Sequence, residues 1–68
     1  MSVKVRNRLI VKKDGVFFRG LKYGNPEWTP SAYEAWYEPE GSQIFAQKVA
    51  DKMGGVVRKF DPVTGEVS

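Results

Sequence analysis

Val3, Val5, Leu9 and Val11 alternate with Lys4, Arg6, Arg8 and Lys12, the period of two that marks a strand with one apolar and one polar side. Asn7 breaks the apolar side and Ile10 breaks the polar side. Asp14-Gly15 then supplies a strong hairpin signal, because both central positions of the preferred turn need a positive φ. Val16-Phe17-Phe18 reads as the returning strand, closed by Gly20. A two-residue Asp14-Gly15 loop would set Lys12 opposite Phe17 and Ile10 opposite Arg19. A three-residue Lys13-Asp14-Gly15 loop would set Ile10 opposite Phe18.

No period continues from Leu21 to Ser31, where Gly24, Pro26 and Pro30 punctuate the chain. This pattern predicts a loop over YGNPEWTP, with Asn25 held extended before Pro26 and Trp28 folded back over a core edge. AYEAWY predicts a turn over Ser31 to Glu34 running into an edge strand at Ala35 to Tyr37. Phe45, Ala46, Val49, Ala50 and Met53 then form one helical stripe, with Gln43, Gln47, Lys48, Asp51 and Lys52 mostly opposite. Ser42 or the preceding Pro39-Glu40-Gly41 starts this helix, and Gly54-Gly55 stops it. A helix of about twelve residues is marginal alone in water, so its stripe must dock on a sheet. VVRKF (56–60) reads as a further strand and DPVTGE as a turn-rich tail.

The predicted fold is therefore α+β: a small antiparallel sheet in the order β-β-(β)-α-β, with one helix packed on one face. All 68 residues fit one small domain, with an ordered core over about 3–60 and a tail over 61–68. A domain of this size buries only about 60% of its unfolded surface. Nine aromatics help such a thin core, because each ring brings much apolar area. Tyr23, Trp28, Tyr33, Trp36 and Tyr37 are accordingly expected to cover its loop-side edge, with stacking on sugars or bases as the competing role.

Charge changes the picture more than composition does. Residues 1–22 carry seven Lys or Arg against one Asp, residues 23–45 carry four Glu and no cation, and residues 46–68 carry four against three. One end of the fold should be basic and its middle acidic. With no cysteine there is no disulfide or thiolate site, which points to a reducing cytoplasm. The N-terminal run lacks the apolar region of a signal peptide, and no apolar run approaches membrane-spanning length.

Catalytic chemistry finds little support. There is no histidine, and Thr29, Ser31, Ser42 and Thr64 have no evident base. Glu38 and Glu40 sit beside a helix start, where negative charge complements the macrodipole. Gly54-Gly55 follows a helix, whereas phosphate binds at helix N-termini. No catalytic residue, cofactor or metal ligand is expected.

Two binding readings remain. Lys4, Arg6, Arg8 and Lys12 share one strand face over about 27 Å. With Arg19 they form a set of candidate contacts to nucleic acid, although edge lysines and arginines also serve to keep strands from pairing with other chains. Alternatively, either register leaves Ile10 near one Phe, Phe17 or Phe18, on the sheet face that the single helix leaves open. With Phe17 taken as the partner, the apolar pair is ringed by Arg8, Lys12 and Arg19, like a small interface core with a charged rim. The second reading predicts a non-catalytic protein-interaction module with a protein partner or a second copy of itself. The first predicts a weak nucleic-acid binder.

DGVFFRG, YGNPEWT, the Ala35-Trp36-Tyr37 segment, FAQKVADKMGG and the following Val-Val pair resemble, in this order, small uncharacterised proteins of phages and prophages. The resemblance covers roughly residues 9 to 59 and is one of layout. It implies an accessory protein acting on a host or phage factor, and it assigns no site residues.

Overall fold

The computed structural model describes residues 7–68, so the expectations for Val3, Lys4, Val5 and Arg6 lie outside the described residues. Asp14 and Gly15, at φ 50° and 82°, close a two-residue turn between β1 (Arg8–Lys13) and β2 (Val16–Lys22), with Lys12 opposite Phe17. That register is the tighter of the two that the hairpin allowed. It runs for two pairs only, because β2 then leaves β1. A bulge between Phe18 and Gly20 bends the strand, and Gly20 sits at φ 145°, a backbone region open to little but glycine.

YGNPEWTP is not a loop. Tyr23 and Gly24, at φ 53° and 80°, form a second two-residue turn, and β3 (Asn25–Thr29) returns antiparallel to β2. β3 is an edge strand, which explains how Pro26 fits: a missing N–H is tolerated at an edge. A short 3-10 turn (Ala32–Glu34) leads into β4, which spans Tyr37–Pro39 rather than the expected Ala35 to Tyr37. β4 takes the place beside β1 that β2 vacated, pairing Ile10 with Tyr37 and Arg8 with Pro39. The Trp36 N–H donates to the Phe18 carbonyl at 2.8 Å, tying the two successive neighbours of β1 together.

A second 3-10 turn (Glu40–Ser42) opens directly into α1 (Gln43–Met53). Gly54, at φ 75°, ends the helix, and the Gly55 N–H donates back to the Ala50 carbonyl at 2.9 Å. β5 (Val56–Asp61) pairs with the other side of β1, and β6 (Glu66–Val67) pairs with β5. The expected tail is thus part of the sheet. Asp61 accepts the Val63 N–H at 2.9 Å and holds the connecting turn. All pairings are antiparallel, the strand order is β3-β2-β1-β5-β6 with β4 also on β1, and the fold is a half-barrel sheet with one helix on it.

Leu9, Ile10 and Val11 are all buried, so β1 is covered on both sides. On the helix side, Val11 packs with Phe18 and Ala50, flanked by Trp28, Trp36, Val49, Met53 and Val57. On the reverse side, Ile10 packs with Phe17, Ala35 and Phe60, with Ala32 against them. Small Ala46 and Ala50 let the helix approach the sheet. Phe45, expected in the stripe, is 57% exposed and lies on the flank. Among the described residues no helix is long and apolar enough to cross a membrane.

Candidate interaction surfaces

The structure separates the residues that the sequence grouped as one interaction face. Ile10 is 0% exposed and Phe17 is buried, so the apolar pair belongs to the interior. The sheet face opposite the helix is not bare. The turn after β3 lays Ala32 and Ala35 over it, Phe60 enters from β5, and Tyr33 meets Phe60 edge-on at 4.9 Å between ring centroids. Arg19 does not face Ile10 either. It lies in the bulge of β2, and Tyr37 occupies the position opposite Ile10.

Of the basic residues, Arg8 and Lys12 stay on one face of β1 by the alternation of the strand. The Arg8 guanidinium lies over the Tyr37 ring, 4.2 Å from its centroid. Arg58, absent from the sequence-derived set, stands directly opposite Ile10 on β5 and joins them. Only pairing register reveals this, since Arg58 is far from the hairpin in sequence. Lys13, on the other face, lies 5.7 Å from the Trp28 ring.

The exposed apolar surface lies elsewhere. Where β2 departs from β1, an open groove of about 360 Å³ runs between the bulged half of β2 and the helix. Phe18 and Trp36, 6.0 Å apart edge-on, lie on one side with Gly20 and Leu21, and Val49 and Met53 line the helix side. Leu21 is 61% exposed and Phe45 57%, so two large apolar side chains flank the opening. Lys52 is the charged residue of the lining, Lys48 lies one helical turn before it, and the lining holds no carboxylate. The sequence placed Phe45 in the core stripe and Leu21 in a loop, because a groove formed by a strand leaving its neighbour has no periodic signal.

A second recess, of about 420 Å³, lies beside Leu9 and Val57 at the other end of the helix. Gln43, Gln47, Arg58, Lys59 and Ser68 line it. Lys59 pairs across this side with Glu40 at 3.6 Å. The Thr29 and Thr64 hydroxyls serve turns: Thr29 Oγ1 accepts the Ser31 N–H at 3.1 Å, and Thr64 Oγ1 accepts the Glu66 N–H at 3.3 Å. Among the described residues no three His, Cys, Asp or Glu side chains are grouped to hold a metal ion. No family model, curated protein or solved structure matches the chain.

Proposed function

We propose that the protein is a non-catalytic recognition module whose groove between β2 and α1 takes an apolar, acid-bearing segment of a partner protein. The observation that carries the reading is the exposed Leu21 and Phe45 flanking a groove lined by Phe18, Trp36, Val49 and Met53. Small domains seldom leave large apolar side chains contiguous and open to water unless something binds there. Grooves of this kind accept the apolar face of an amphipathic helix, anchored by side chains three and four residues apart. Lys52 in the lining and Lys48 beside it favour carboxylates flanking those anchors, because opposite charge speeds encounter and penalises basic competitors. The resemblance of the sequence to small uncharacterised phage and prophage proteins would suit a partner drawn from a host or a phage.

The test uses two synthetic amphipathic peptides of the same leucine pattern, one with glutamate and one with lysine on the polar face. Backbone amide spectra should show the acidic peptide shifting Leu21, Phe45, Val49 and Met53 while the basic peptide leaves them in place. Phe45→Ser should abolish the shifts with little loss of stability, because that ring is mainly exposed. Equal response to both peptides would overturn the reading. So would light scattering that shows a dimer broken by Phe45→Ser, since a second copy would then own the groove.

A further inference from the structure

The face of the sheet opposite the helix carries a second, chemically different surface. β1 and β5 pair with Arg8 opposite Phe60, Ile10 opposite Arg58 and Lys12 opposite Val56. Strand alternation therefore places Arg8, Arg58 and Lys12 on one side, around the buried Ile10 and Phe60. Arg8 and Lys12 are about 14 Å apart along the strand, with Arg58 beside the midpoint. Tyr37 lies opposite Ile10 on the other flank and carries the Arg8 guanidinium at 4.2 Å. Tyr33 stands edge-on to Phe60, and both tyrosines are about half exposed.

The carboxylates nearest in the sheet point the other way or are engaged. Glu38 pairs with Leu9 and so lies on the helix side, and Glu40 pairs with Lys59, itself opposite Leu9. Asp61 accepts backbone N–H groups of its own turn, and Glu66 accepts the Thr64 hydroxyl. Among the described residues Arg8, Arg58 and Lys12 form no ion pair, whereas Lys59, one residue along β5, does. Glu34, next to Tyr33 on the covering turn, is exposed and forms no ion pair among the described residues.

We propose that this strip binds single-stranded nucleic acid, with Arg8, Arg58 and Lys12 on successive phosphates and Tyr37 and Tyr33 stacking on bases. The pairing of cations with exposed rings is the combination that single strands require. Phosphate contacts supply affinity without sequence preference, and every base has a face to stack. A duplex hides those faces, so the rings favour an unpaired strand. The proposal is independent of the groove, which lies on the opposite side of the sheet.

The test is fluorescence anisotropy with labelled oligo-dT and oligo-U of about 15 nucleotides, beside a duplex of equal length. Three phosphate contacts on a single strand give a slope of log K against log salt near −2, so affinity should fall about 20-fold from roughly 50 to 200 mM salt. Arg58→Ala should flatten that slope by about 0.7. Tyr37→Ala should weaken binding by about 5- to 150-fold at any one salt concentration and leave the slope nearly unchanged, and Tyr37→Phe should keep most of it. Glu34→Gln should tighten binding. All three positions are exposed, and circular dichroism of each variant checks the fold. A preference between dT and U that persists with oligo-dU, which lacks the thymine methyl, would assign the sugar within the proposal. No binding of either strand at low salt, duplex binding as tight as single-strand binding, or indifference to Tyr37→Ala would each overturn it.

Discussion

Replacing Ile10 by alanine tests the central packing claim, that β1 is covered on both faces. The side chain is 0% exposed and is held by Phe17, Ala35 and Phe60. Three carbons are lost, worth about 0.8 kcal/mol each in transfer alone, or about 2.4 kcal/mol. The ring of Phe60 and the backbone of the covering turn cannot fully collapse into the space, and such substitutions reach 2–5 kcal/mol once the residual cavity is counted, so a loss of about 3–4 kcal/mol is expected here. A chain of this length has only about 3–10 kcal/mol of total stability. At about 4–8 °C per kcal/mol, the melting temperature should fall by about 12–30 °C. Thermal unfolding followed by far-ultraviolet circular dichroism reads this directly, with Val63→Ala as the comparison, since Val63 is exposed. That control should stay within about 0.5 kcal/mol of wild type. If Ile10→Ala melted within about 4 °C of wild type, the residue would be at a surface, and the covered face would be wrong.

Two further substitutions probe the backbone. A Cβ at Gly55 would lie 2.7 Å from Val11 Cγ1 and 2.8 Å from the Lys12 carbonyl oxygen, on the central strand where the backbone has least room to yield. Gly55→Ala should therefore destabilise by about 1–3 kcal/mol, seen as a lower urea midpoint at unchanged m-value, and an unchanged midpoint would contradict the close approach. Tyr23, an exposed bulky residue at φ 53°, carries left-handed strain at a turn position where asparagine is preferred. Tyr23→Asn should raise stability by about 0.5–1 kcal/mol in the same urea titration, and a loss of stability would show that the ring makes a contact worth more than its strain.

The first hairpin was legible because two local signals agree: alternation along β1 and a turn pair suited to positive φ. The helix was legible for the same reason, with a 3.6-residue period ending at a glycine pair. β3 was not, because Pro26 argues against a strand and Tyr23-Gly24 lacks the usual turn residues; only its place at the sheet edge admits it. Ile10, which breaks the polar side of the strand, signals cover on that side rather than an exposed apolar pair. An apolar residue on the polar side of a strand is what burial on both faces produces, as Leu9-Ile10-Val11 shows. Counting the helix as the only cover led to an open face, since a three-residue turn such as Ala32–Glu34 leaves no periodic trace. Phe45 stood in the helical stripe, yet the stripe is centred on Ala46 and Ala50, and a ring one position away is rotated to its flank.

Both proposed surfaces trace to one event in the chain, the departure of β2 from β1 at the Phe18–Gly20 bulge. Had β2 continued straight, Arg19 would lie opposite Ile10, and Tyr37 would have no place beside β1. Instead β4 inherits that edge and brings Tyr37 against Arg8, which makes the aromatic half of the strip. On the other side of the sheet, the same departure draws Gly20 and Leu21 away from the helix, which stays seated close through its alanines. The gap is lined by Phe18, Trp36 and Met53, and that gap is the groove. The bulge that holds Gly20 at φ 145° in β2 thus lies between two proposed surfaces that share no residue, which is why neither could be read from the hairpin alone.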